Sequence, residues 1–416
     1  MKNIKRSFTA FLTLFALVTA MSNIAVASSS IKEKESIDEK TQALITETIV
    51  SFFENIYCLD NYKDTDLSYL FLDKDSKYIE YYNDKSILYF GVPQVYGDEY
   101  AYVDVKIELD SCKITEEEKD MYSADVFVHI YAVEAIDIER TSQEILPYSF
   151  KLTNVDNEFK LVEVTSDDHL DSTLRVRSAS EQLAYLKDKL NNPVPNPTID
   201  ACEKMYMQAE EKAAILRSTI TYDRDDAVEY AETYWQNYNS SFGSYGGDCQ
   251  NFASQCVWKG YGGTNIPTAY PPSVVYNPMV LNYNGTSARN WYQGSVSGNG
   301  WVSWTNPYSF FNYINNSSTS VRGPMGWIYD RESDCLKYAM PGDVILVYWD
   351  YLVQSPDEPD HAYIVIDTDN AYGYNNVSTI IAAAHTNNCT NYRLSNLLYS
   401  EDKFALIRIA SWQSGN

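Results

Sequence analysis

Gly246-Gly247-Asp248-Cys249-Gln250-Asn251-Phe252-Ala253-Ser254-Gln255-Cys256 is the stretch on which the fold turns. Phe252, Ala253, Cys256 and Val257 recur at the spacing of one helical face, and the Gly/Ser/Tyr loop Ser240–Gly247 precedes them. The pattern predicts a helix that opens at or beside Cys249. The first amides of a helix lack intrahelical partners and its dipole favours negative charge there, so a thiol in the first turn gains acidity. The same amides can receive an oxyanion. Cys256 follows by seven residues, about 10 Å along a helix axis at ~1.5 Å per residue, too far for a disulfide. It reads as a small buried apolar residue. Asp248 reads as a helix N-cap, a job for which aspartate is favoured. By itself this stretch fits a structural Cys249 better than a nucleophilic one.

The flanks add partners. Asp225–Asn239 predicts a helix with Ala227, Tyr230, Ala231 and Tyr234 on one face. Downstream, the turn Met340-Pro341-Gly342-Asp343 leads into the strand Val344–Trp349, and the acidic, proline-containing loop Asp350–Asp360 leads into His361–Ile366. A third strand, Thr379–Thr386, carries His385 near its end. In an antiparallel meander the start of one strand lies beside the end of the next, so His361 and His385 are expected at the same edge of the sheet. They are the two histidines of this half. Asp357, Glu358 and Asp360 before His361 read as a solvated loop, with a local field on the histidine or a cation as the alternatives. Between residues 260 and 329, Trp291, Trp301 and Trp304 read either as groove-lining aromatics or as an internally packed insertion.

Taken together, "GGDCQNFASQC", "PGDVILVYW", "HAYIVI" and "AAAHT" resemble the papain-like amidase and peptidase group. They are similar to the NlpC-type cell-wall cysteine peptidases. Closer still is the amidase-domain family of exported bacterial proteins, with a Tyr/Trp/Asn-rich helix, matched here by Trp235–Asn239, before a Gly-Asp-Cys-x-Asn-Phe-x-Ser-Gln motif. Gln250-Asn251, where NlpC-type enzymes carry Ser-Gly, favours the amidase-domain family. The resemblance covers about residues 222–415. It implies a helix-borne Cys249 as nucleophile, packed on an antiparallel sheet, with His361 as general base and His385 orienting it. Asn387 and Asn388 are rivals for that third place. The backbone of Cys249 would hold the oxyanion, with Tyr245, Asp248 and Gln250 as further oxyanion or substrate-binding candidates.

The rest of the chain bounds these readings. Its 416 residues carry 32 basic and 57 acidic side chains, a formal net charge of −25. That balance disfavours a nucleic-acid binder, whose phosphate contacts need clustered Lys and Arg, and disfavours adhesion to an anionic membrane. Lys2, Lys5 and Arg6, the apolar run Phe8–Ala20 and Ala25-Val26-Ala27 read as a secretory signal peptide cleaved after Ala27. Its removal takes the charge from −25 to −28 by deleting three basic residues. A secreted protein without an integral membrane segment is therefore expected. Seven cysteines are an odd number, so at least one thiol stays unpaired within a monomer. Neither cysteine nor histidine spacing fits a structural zinc site, and no metal or cofactor is expected.

All eight tryptophans lie after residue 230, and Asn191–Pro197 (NNPVPNP) is an extended break. We read a signal peptide over 1–27, an α+β accessory domain over 38–175, a helical, Pro-containing linker over 176–221 and a cysteine amidase or peptidase domain over 222–416. Thr41–Tyr57 predicts a helix; Tyr102–Leu109, Ala124–Val133, Tyr148–Leu152 and Glu158–Val164 predict strands, the last two joined by a hairpin turn at Asn154–Asn157. This helix-plus-meander pattern resembles the cone-shaped domains of the nuclear-transport-factor-two-like superfamily. His129 and His169 read as ordinary residues, and Cys58 with Cys112 as a possible bridge. Two functions fit: a secreted cysteine amidase or peptidase acting on a peptide or peptidoglycan-like substrate, and a non-catalytic glycan- or peptide-binding protein using the aromatic-rich half.

Overall fold

Ile45, Ile49, Phe52, Phe53 and Ile56 bury one face of helix α1 (Glu39–Ile56), whose N-terminus is capped by Asp38 accepting the Thr41 amide at 3.0 Å. The computed structural model describes residues 37–166, 178–191, 221–263, 291, 302–315, 323–330, 336, 339–348, 358–369, 377–386, 388–397 and 403–413. The expected signal peptide, the Pro-rich break, His169, Trp301, Asp357 and Asn387 lie outside these residues. Helix α2 (Lys77–Tyr96), which the sequence reading did not anticipate, packs with α1 on the meander β1 (Tyr102–Glu118), β2 (Met121–Glu134), β3 (Asp137–Val155) and β4 (Glu158–Ser166). The β3–β4 turn has Asp156 at φ 55° and Asn157 at φ 70°, the paired left-handed residues of a two-residue hairpin whose twist suits its strands.

Helix α3 (Ala179–Asn191) follows, and then α4 (Arg224–Tyr234), α5 (Cys249–Gly260), α6 (Val302–Thr305) and α7 (Pro307–Asn315). The remaining strands are β5 (Gly323–Asp330), β6 (Val344–Tyr348), β7 (His361–Thr368), β8 (Ile380–Ala384), β9 (Asn388–Arg393) and β10 (Lys403–Gln413). The protein is α+β, built on one ten-stranded sheet in the order β1-β2-β3-β9-β8-β7-β6-β10-β5, with β4 beside β3. The two halves meet inside that sheet: Gln143, Glu144 and Ile145 of β3 pair antiparallel with Thr390, Cys389 and Asn388 of β9. From Asp38 onward the chain forms one compact unit.

The alternation of β-strand side chains divides the second half's core in two. Leu346, Ala362, Ile364, Ile381 and Ala383 face Phe252, Ala253, Cys256 and Val257 of α5. Val347, Tyr363, Val365, Ala382 and Ala384 face the opposite side. Asp343, fully buried in the Pro-Gly-Asp turn, ties α4 to this sheet. It accepts Arg224 Nη1 at 2.7 Å, the Met340 amide at 2.9 Å and the Ile409 amide at 3.2 Å. Gly342 takes φ 83°, a left-handed conformation open to glycine, and its carbonyl accepts the Tyr222 hydroxyl at 2.7 Å.

Burial pushes the thiols of Cys249, Cys256 and Cys389 and the phenols of Tyr102 and Tyr222 upward from their ordinary values. Each is neutral when protonated, so above about pH 8.5 the unfolded chain begins to hold fewer protons than the fold. Stability is therefore expected to be flat from about pH 7 to that pH and to fall steadily above it. Thermal melts between pH 7 and 10.5 check this, and a constant melting temperature would refute it.

Candidate active site

Cys249 is the first residue of α5, 5% exposed. Burial pushes its thiol up to about 12, while the amides of Ala362, Gln250 and Cys249 itself pull the other way by donating to the sulfur and the Asp248 charge opposes ionisation. Backbone N–H groups beside a thiol are the kind of donor that a thiolate or an oxyanion requires. The Ala362 amide also places the sulfur against the start of β7, one residue from His361.

Asp248 does not cap the helix through its side chain, contrary to expectation. Its carboxylate is turned to other donors. Oδ1 accepts the Tyr245 amide and Asn251 Nδ2, both at 2.8 Å, and Oδ2 meets His385 Nδ1 at 2.7 Å. The Asp248 amide donates to Thr386 Oγ1 at 2.8 Å, and Asn251 Nδ2 also reaches the Gly243 carbonyl at 2.8 Å. These bonds fasten the loop ahead of Cys249 to α5 and to the end of β8. Tyr245 is half-buried and joins this network through its backbone.

The two histidines lie at the same end of adjacent strands but on opposite faces. His361 pairs in register with Val347 and its ring meets Tyr363 at 4.6 Å, on the face turned away from α5. His385 lies on the α5 face, stacked on Phe252 at 4.0 Å and near Tyr238 at 4.5 Å. Its Nε2 meets the Tyr234 carbonyl at 2.7 Å. Both nitrogens of His385 are thus engaged by Asp248 and Tyr234, so it does not orient His361. Asn388 sits on β9, paired with Ile145.

Trp291 and Trp304 are 2% and 0% exposed and belong to the core, so neither lines an open groove. Their indoles instead serve polar residues of α5: Trp304 Nε1 donates to Asn251 Oδ1 at 2.7 Å and Trp291 Nε1 to Ser254 Oγ at 3.2 Å. Gln250 is fully buried and donates through Nε2 to Ser254 Oγ at 3.1 Å; its Oε1 has no partner among the described residues. Sequence reasoning missed Asn251, Thr386 and the Tyr234 carbonyl. Asn251 lay within the quoted motif, whereas a backbone carbonyl leaves no sequence signal. Cys58 and Cys112 are both free thiols rather than a bridge. Cys256 is fully buried. Among the described residues no group of three or more His, Cys, Asp or Glu could hold a metal ion, and no helix is long and apolar enough to cross a membrane.

Residues 221–409 match the family model described as "Putative amidase domain". This part of the chain is similar to that amidase family. An uncharacterised protein of Bacillus subtilis (strain 168), YhbB, is 29% identical over 164 residues, covering 39% of this chain and 43% of that protein. The chain therefore spans less than half the length of the curated relative it matches. No solved structure matches the chain.

Proposed function

We propose that the protein is a secreted cysteine-dependent amidase or peptidase that hydrolyses a peptide-type amide, with a papain-like, NlpC-type second half and a cone-shaped, nuclear-transport-factor-two-like first half. The observation that carries this reading is the thiol of Cys249 at a helix start, with the backbone amides of Gln250 and of Ala362 at the start of β7 directed to its sulfur. The match to an amidase family over the same residues supports it. The binding-protein alternative loses two of its three candidate aromatics to the core.

His385 has both nitrogens committed, so this reading assigns the base to His361, at the start of β7 next to the Ala362 amide that donates to the Cys249 sulfur. Its imidazole must turn from the Tyr363 side of the strand to reach the thiol. Burial holds the resting thiol neutral, which favours proton removal during attack over a preformed thiolate–imidazolium pair. As the Cys249 sulfur bonds to the amide carbon, its proton passes to the His361 imidazole, and the oxyanion is held by amide N–H groups at the α5 start. Collapse breaks the C–N bond, and the imidazolium gives its proton to the departing amine. Water, deprotonated by His361, then splits the thioester to a carboxylate and the free thiol. His361→Gln is expected to lower kcat by ~10²–10⁴-fold.

The test is incubation with purified cell wall and with a peptide library, the released fragments being identified by mass spectrometry. Cleavage of an amide by the native protein and none by its thiol-alkylated form supports the proposal. No product from either substrate, or unchanged product after alkylation, overturns it.

A further inference from the structure

Asp248 places a carboxylate one residue before the thiol proposed to attack. A negative charge there opposes formation of a thiolate and of an oxyanion at the α5 start. The structure answers this charge. Asp248 Oδ2 and the Tyr234 carbonyl both approach ring nitrogens of His385 at 2.7 Å. A carbonyl only accepts, and a hydrogen must lie on the carboxylate–imidazole contact as well. Whether that second proton sits on Nδ1 or on Oδ2, the pair as a whole is electrically neutral. His385 is 1% exposed and Asp248 0%, so bulk water does not screen the pair.

We propose that His385 is a positioning residue for the nucleophile: it neutralises and fixes the Asp248 carboxylate, so that the loop Gly243–Asp248 can be tied to α5 without charging the Cys249 site. This inference rests on Cys249 being the nucleophile. The other polar and titratable groups around the pair are the Tyr245 amide and Asn251 on the Asp248 side, Thr386 next to His385, Tyr234 and Tyr238 from α4 and the segment after it, and Cys249 itself. The Tyr230 and Tyr238 phenols also lie near the Asp248 carboxylate. Among the described residues no lysine or arginine meets this pair, so the compensation comes from His385.

The test measures alkylation of Cys249 by iodoacetamide at fixed pH, with Cys256 and Cys389 as internal reports of unfolding, alongside kcat and KM on whichever wall or peptide substrate the native protein cleaves. His385→Phe keeps the stack on Phe252 but bares the carboxylate, and should slow Cys249 alkylation at least ~10-fold, one pKa unit or more. Its kcat should fall while KM stays near the native value. Asp248→Asn keeps the pair neutral and should leave the alkylation rate within about twofold, and it retains a native-like partner for His385 if the phenylalanine variant fails to fold. The double variant should restore the native alkylation rate. An unchanged or faster rate in His385→Phe with Cys256 still protected, or a ~10-fold faster rate in Asp248→Asn, overturns the proposal. If Cys249→Ala proves as active as the native protein, the nucleophile reading fails separately, while the alkylation rates still judge the charge pairing.

Discussion

Replacing Cys249 by alanine is expected to lower amide hydrolysis at least ~10⁴-fold while leaving the fold intact. Loss of a covalent nucleophile removes the low-barrier route, and what survives comes from substrate binding and the oxyanion donors alone. The side chain is small, sits at the first turn of α5, and is not the residue that ties the loop down. Its removal therefore costs little stability, and circular dichroism with a melting temperature near the native one should accompany the inactive variant. Cys256→Ala is the control: that thiol lies in the core beneath the helix, so the change should lower stability by about 1–2 kcal/mol through a small void and spare kcat. Equal losses of activity in the two variants would mean that the thiol effect is structural.

The second large effect is on stability. Arg393→Met should destabilise the protein by about 3–5 kcal/mol, because it strands a buried charge. Arg393, 2% exposed, bonds Glu134 Oε2 at 2.6 Å and Asp369 Oδ2 at 3.0 Å, reaches the Ser378 carbonyl and lies over the Tyr100 ring at 5.0 Å. Burial already lifts the Glu134 carboxyl above its ordinary range despite the arginine. Without Arg393 that carboxylate is disfavoured further in the fold than in the unfolded chain. The folded variant then binds the extra proton, so its deficit should shrink as pH falls towards the carboxylate range. Urea denaturation of Arg393→Met, with Glu134→Gln added to remove the stranded charge, measures this. Failure of the second substitution to recover part of the loss would refute the assignment.

Much of the site was legible because its determinants are local. Periodicity in Phe252, Ala253, Cys256 and Val257 gave the helix and put the thiol at its start, and Pro341-Gly342 marked the turn into β6. What escaped depends on register between distant strands. His361 and His385 do share one end of the sheet, but pleating sends them to opposite faces, which no count along either strand could reveal without knowing how β7 and β8 align. Trp291 and Trp304 illustrate a second limit: an aromatic in a loop-like composition packs inward when polar residues of a helix, here Asn251 and Ser254, offer its N–H an acceptor. The β3–β9 pairing escaped for the same reason as the histidine faces, since its partners are separated by more than two hundred residues.

That pairing has a practical consequence for anyone dissecting the chain. A fragment beginning near residue 218 would carry every proposed catalytic residue, yet it would lose β3 and bare the hydrogen-bonding groups of β9 along Asn388–Ile145, Cys389–Glu144 and Thr390–Gln143. An uncapped strand of this kind is a template for a neighbouring chain. The isolated fragment is expected to self-associate into sheet-extended oligomers, and its aggregation would be a property of the cut.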